Sequence, residues 1–273
     1  MKEDYMRNGQ LKPGYNVNVA TCSDFIIGSY ISSDINDVHT LIPFMEQLRK
    51  NYAGRNIGSV VVDSGYESEE NYCWFEAHPE TELYVKPSNH EAAKHKKYRT
   101  DISRRENMAY DAQTDTYTCA NGKLLQKTQE KKTHTASGLE ITTSVYECSE
   151  CDGCPLKEKC IRVCGSKKPL KERHKVIYVS KRFAEQRQAM EAKISSPKGC
   201  LLRVNCSIQA EGNFAYVKQD LDFRRFLLRG STKVAAEWLL FSLALNILHL
   251  HHKIQNRRLG SGLKIPSSFP AGL

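Results

Sequence analysis

The opening residues, Met1–Gln10, lack the apolar stretch that a secretory leader carries, which points to a protein kept inside the cell. No uncharged run reaches bilayer length. The nearest, Val234–Leu250, is interrupted by Glu237 and Asn246, so it reads as a buried core helix and not as a membrane span. Acids are in deficit: 31 Asp and Glu stand against 40 Lys and Arg, a formal net charge of +9 that gives the surface a positive bias. No His/Glu ligand motif accompanies the cysteines, which argues against a zinc hydrolase of small substrates. Wholesale disorder is also excluded. Hydrophobic residues make up 40% and charged residues 26%, and 273 residues can bury a real core in one large domain or two ordinary ones.

What the chain has in excess is cysteine, and its placement matters more than its count. Cys148, Cys151, Cys154, Cys160 and Cys164 fall within seventeen residues, while the other five are scattered. A secreted disulfide scaffold is shorter and spreads its cysteines throughout. A local cluster reads instead as a metal site. The spacing Cys148-x2-Cys151-x2-Cys154-x5-Cys160 offers four thiolates, with Gly153 and Pro155 supplying turns, and tetrahedral Zn²⁺ is the default for such soft ligands. Three alternatives stay open: Cys119 replacing one clustered ligand and stapling two arms, an iron–sulfur cluster, or reduced cysteines with no metal; Cys164 is a spare.

The pattern from Lys12 to about Pro87 is α/β. Tyr15–Ala20 alternates like a half-buried strand, and Phe25–Ile31 reads as its hairpin partner across Ser23-Asp24. Asp37 is placed to cap a helix from Val38 to about Tyr52 with Leu41, Phe44, Met45 and Leu48 on one face. Ser59–Val62 is a continuous β-branched run, the mark of a strand buried on both faces, and Glu82–Val85 looks like another strand. Between Pro87 and about Pro197 apolar periodicity weakens and Lys and His runs appear. The window 151–190 holds 11 Lys and Arg against 4 Asp and Glu, so seven of the nine surplus charges sit there. These shifts divide the chain into a first core segment (1–87), a basic cysteine-rich insert (88–200), a C-terminal helical segment (201–258) opened by Ser231 or Thr232 capping the apolar helix, and a flexible Gly/Ser/Pro tail (259–273).

Asp63 ends the buried run and is followed by Ser64-Gly65. That is the usual active-site position of an open α/β sheet, and it is also ordinary turn chemistry. Glu211 and Lys218 are seven apart in a stretch of helical spacing, two turns along one face, which a solvated charged stripe would equally show. Phe223-Arg224-Arg225-Phe226 and Arg229-Gly230 interleave bases with aromatics, as phosphate contacts and stacking require. His249, His251 and His252 suit the C-terminal dipole of the last helix.

Met1–Asp4 with Gln10–Val17, Val62–Tyr72, and Gln209–Gly212 with Arg224–Gly230 resemble, in order, segments of bacterial insertion-sequence DDE transposases. The branch is the one with a cysteine-rich insert in an RNase H-like catalytic domain, and the likeness takes in Cys119 and Cys148–Cys160. The resemblance implies a mixed sheet with flanking helices and a small zinc-binding insert. It also implies Mg²⁺-dependent strand cleavage and strand transfer at the ends of a mobile element. Three carboxylates hold two Mg²⁺ ions in that family; Asp63 matches the second and Glu211 the third. Lys218 matches a position that contacts DNA phosphate, and Arg224, Arg225 and Arg229 join it. The implied partner is double-stranded DNA, at element ends and target, with a homodimer on family grounds, no membrane, and a cytoplasmic, nucleoid-associated setting.

The chain departs from the pattern at telling places. The family's first catalytic Asp lies on a strand upstream of this segment, and Asp4 is on a polar lead-in, so an N-terminally truncated copy lacking the first strand is expected. Cys206 stands where relatives usually show an Arg, and Cys22 and Asn18 replace an acid and a Gln. The rival reading is a non-catalytic, zinc-stapled DNA-binding remnant of a transposase.

Overall fold

Val17 and Val19 alternate with polar neighbours, and the strand they specify, β1 (Asn16–Cys22), pairs antiparallel with β2 (Phe25–Ser32) from Asn16↔Ser32 to Cys22↔Phe25. Ser23 and Asp24 both adopt positive φ, the requirement of a tight two-residue hairpin turn. The structure, a computed structural model, describes residues 2–3, 11–12, 14–162, 168–260 and 262. Asp4, Cys164 and most of the tail therefore lie outside the described residues.

Two compact units emerge: Met1–Lys86 with Met190–Leu273, and Pro87–Ala189. Where the sequence pattern set the end of the insert at 200, the second unit ends at Ala189, inside helix α3 (Lys181–Ser195) as numbered below.

In the first unit, α1 (Leu41–Asn51) buries the expected stripe of Leu41, Phe44, Met45 and Leu48. Its start differs from expectation. Asp37 opens a short 3₁₀ turn (Asp37–His39), and its carboxylate accepts the Asn16 side-chain amide instead of capping α1. Gly28 of β2 lets α1 come close, since a Cβ there would stand 2.5 Å from Leu48 Cδ2. Strand β3 (Ser59–Val62) leads to α2 (Glu69–Glu76), capped by the Ser68 hydroxyl on the Asn71 N–H, and then to β4 (Glu82–Val85), parallel to β3.

Two expectations need correction here. β3 is only half-buried, because β4 is its sole ladder partner among the described residues; Leu83, Tyr84 and Val85 of β4 are the buried members. Among the described residues the first unit's strands form three separate two-stranded ladders, the antiparallel pairs Lys2–Glu3 with Leu11–Lys12 and β1 with β2 and the parallel pair β3 with β4, with no described strand joining them.

After α4 (Pro197–Cys206) the chain runs through a π-helical segment (Ser207–Glu211), one α turn (Gly212–Ala215) and a second π-helical segment (Tyr216–Asp220). The last helix, α5 (Ser231–Gln255), starts at Gly230 with no side-chain cap, so neither Ser231 nor Thr232 serves as one. It is not the buried core helix its composition suggested. Val234, Trp238 and Leu245 pack with Ile26 and Val217, but Leu239, Leu240, Leu243, Ile247, Leu250 and Ile254 are exposed. The polar residues that interrupt its apolar run act as clasps. Glu237 accepts the N–H groups of Leu227 and Leu228, and Asn246 makes paired 2.8 Å bonds with the backbone of Ile26.

The second unit is an antiparallel meander. Strands β5 (Ala109–Asp111), β6 (Thr116–Thr118), β7 (Leu124–His134), β8 (Glu140–Cys148) and β9 (Lys175–Val179) lie in the order β9-β8-β7-β6-β5. Its core gathers Met108, Tyr117, Leu125, Tyr146, Cys148, Cys151, Ile177 and Val179. Only Leu125 of the eleven residues in β7 is buried, which explains why sequence periodicity faded there. The Tyr146 hydroxyl, pushed up to about 12 chiefly by burial, donates to Asp115, which Lys181 also bonds.

Candidate functional site

Asp63 sits where β3 stops, exposed, with Oδ1 accepting the Ser64 N–H at 2.6 Å and so holding the 3₁₀ turn Ser64–Tyr66. The turn role and the strand-end position are thus both realised in one residue. Glu211 ends the first π-helical segment, also exposed, with Oε2 accepting from the Ser207 hydroxyl at 3.0 Å. Both carboxylates lie close enough to Cys206 for their charges to act on it. That thiol, at the end of α4, donates to the Val61 carbonyl of β3, and it is pushed up by burial and then by the negative charges of Glu211 and Asp63. Tyr66 stands beside the same turn. Its hydroxyl donates to Asn18, and it is raised well above the usual phenol range by burial, then by Asp37 and Asp63.

Both carboxylates therefore have only neutral donors as hydrogen-bond partners and face solvent, the state of a side chain free to ligate a hard cation. Among the described residues no third His, Cys, Asp or Glu completes a ligand group with them. The wide π turns change the register on which the seven-residue spacing of Glu211 and Lys218 was read; such segments concentrate at functional sites. Lys218 is exposed with its Nζ 5.2 Å from the Phe214 ring centroid.

The basic loop departs from expectation in one respect. Phe223 and Phe226 are not offered for base stacking. They pack edge-to-face with each other, Phe223 against Phe241 and Phe226 against Tyr15, beside the core of the first unit. Arg224, Arg225 and Arg229 remain exposed, with Arg224 paired to Asp222. His249 bonds Asn213 Oδ1 at 2.9 Å and so joins the helical packing instead of capping α5.

The second unit carries the cysteines. Cys119, Cys148, Cys151, Cys154 and Cys160 line one small cavity together with Lys123, Lys157 and Lys175. Cys119 comes from the β6–β7 turn, Cys148 from the end of β8, and the other three from the loop that follows. All are free thiols, and no three of them already stand in ligating geometry among the described residues. Cys148 is pushed up to about 11 by burial. Cys160 is raised by burial, lowered by Lys175, and raised again by the thiols of Cys119, Cys151 and Cys154. Sequence reasoning missed Lys175, a buried lysine in the apolar run Lys-Val-Ile-Tyr-Val, and Tyr66 and Asp37 beside Asp63.

Residues 118–251 match the family model described as a transposase DDE domain. The match takes in the cysteines of the cavity, Glu211, Lys218 and the three arginines, and begins downstream of Asp63. It covers a little under half of the chain and supports a DDE transposase family, the class that acts on DNA and generally uses Mg²⁺. No curated protein and no solved structure matches the chain.

Proposed function

We propose that this chain is the C-terminal catalytic portion of an insertion-sequence DDE transposase with an RNase H-like core. The carrying observation is the convergence of Asp63 and Glu211 on Cys206, from two segments nearly 150 residues apart in sequence. The antiparallel β1–β2 and parallel β3–β4 ladders, unjoined among the described residues, support the fold reading, since an RNase H-like sheet sets a strand between two such pairs.

Asp63 and Glu211 would hold Mg²⁺, which when bound activates the attacking oxygen and stabilises the leaving one in phosphodiester displacement. They match two of the family's three carboxylates, and among the described residues no third ligand completes the group. Lys218, Arg224, Arg225 and Arg229 present exposed cations for the DNA phosphates of element ends and target. A structural Zn²⁺ braces the cysteine-rich insert, and the protein works as a homodimer in the cytoplasm, at the nucleoid.

Supercoiled plasmid tests this. The enzyme reading expects nicking with Mg²⁺ or Mn²⁺ that Asp63→Asn or Glu211→Gln abolishes. Salt-dependent binding without nicking, unaffected by either substitution, would establish the non-catalytic DNA-binding remnant instead.

A further inference from the structure

Five thiols around one cavity exceed what a tetrahedral ion can use, so the ligand set has to be chosen, and the second unit contains the grounds for choosing. Cys148 is the last residue of a strand, paired with Lys175 across the β8–β9 ladder. It shares its strand face with Tyr146 and is 1% exposed inside the cluster of Leu125, Ile177 and Val179. Its side chain is part of the sheet core, the cluster that Cys151 also joins, but Cys148 alone of the five stands on a strand. The other four sit on turns. Cys119 begins the tight turn closed by the Gly122 N–H on its carbonyl, and Cys151 and Cys154 bracket a turn with Gly153 at positive φ. Cys160 closes the short helix that starts at Lys157.

Charge supplies an independent ground. Lys175 is 9% exposed, and among the described residues its Nζ bonds only carbonyl oxygens, those of Ser103 and Cys160. Lys157 and Lys123, which also line the cavity, already have carboxylate partners in Asp152 and Glu150. A buried ammonium with no carboxylate beside it is costly. Beside an ion with four thiolates, which carries two net negative charges, it is compensated.

We propose that Cys119, Cys151, Cys154 and Cys160 hold one Zn²⁺, that Cys148 packs beside it without ligating, and that Lys175 balances the charge of the centre. This rests on the zinc reading of the insert and goes further in naming the ligands. It differs from the contiguous set read from spacing alone. Cys119 ties the β6–β7 turn to the loop after β8, a connection that four ligands within thirteen residues could not make. Binding takes the four thiols to thiolates and releases their protons to solvent, with no change of oxidation state.

The full chain, purified under reducing conditions, should carry one Zn per chain by elemental analysis. Cys148→Ser should keep that metal. Cys119→Ser, Cys151→Ser and Cys160→Ser should each lose it, and where a serine variant does not fold, Cys119→His supplies the test. With Co²⁺ in place of Zn²⁺, Cys119→His should retain the ion but weaken the thiolate charge-transfer bands by about a quarter. Those bands should be unchanged in Cys148→Ser. Chain without zinc, or with iron, overturns the zinc reading itself. Zinc retained by Cys119→Ser and lost by Cys148→Ser leaves that reading standing and overturns the ligand assignment.

Discussion

In the first unit the side chains that close the core are apolar: Phe44, Met45 and Leu48 of α1, and Trp238, Leu245, Ile26 and Val217. In the second, Cys148, Cys151 and Cys160 are among the buried residues, and the long strand β7 buries a single side chain. The first unit folds on apolar area, each large side chain removed from water contributing about 2 kcal/mol. The second adds buried thiols to its apolar core. The difference teaches where each unit is vulnerable: one to the loss of a hydrocarbon, the other, on the zinc proposal, to the loss of the ion.

The largest expected effect breaks the comparison outright. Stripping metal with a chelator should collapse backbone exchange protection across β6, β8 and β9 and leave α1 and the buried face of α5 protected, read by hydrogen exchange. Equal loss in both units would show that they do not differ in this way.

Next in size, Trp238→Ala should cost about 3–5 kcal/mol in denaturant unfolding of the first unit, because it empties the centre of a packed cluster. On the opposite side of the same helix, Leu240→Ala at a 69% exposed position should change stability by less than about 0.5 kcal/mol.

Acid sharpens the comparison further. Asp115 is held down to about 2 by hydrogen bonds from Lys181 and Tyr146, and Asp101 to about 2 first by the Ser103 hydroxyl, with Arg162 adding to it; both lie in the second unit. The carboxyls are depressed in the fold, so their stabilisation is present above the unfolded value near 3.8 and is lost as pH falls from there through about 2. Between pH 4 and pH 2 the second unit should therefore weaken, and Asp115→Asn should flatten that loss in a pH series of unfolding midpoints.

Much of the first unit was legible because its signals are local. Alternation at Val17 and Val19, the Leu41–Leu48 stripe and the β-branched run at Ser59–Val62 each specify an element without help from distant residues. What could not be read depends on partners. Nothing near Val60 says that β3 has a single ladder partner among the described residues, and nothing within α5 says which of its apolar faces is covered. The same holds at the candidate sites. Asp63 and Glu211 could be singled out from position and resemblance, but Cys206, the side chain that both charges act on, reads as a lone cysteine until α4 is laid against β3. Cys119 is thirty residues from its companions, and only the meander brings it round.

The short ladders of the first unit also bear on how this protein behaves at high concentration. An unjoined pair of strands offers its borders to another chain, and on β2 side chains cover part of that border: Asn246 holds both backbone groups of Ile26, and the Tyr52 hydroxyl donates to the Ile27 carbonyl. Asn246→Leu, which uncovers the Ile26 pair, should therefore raise concentration-dependent aggregation, read by light scattering.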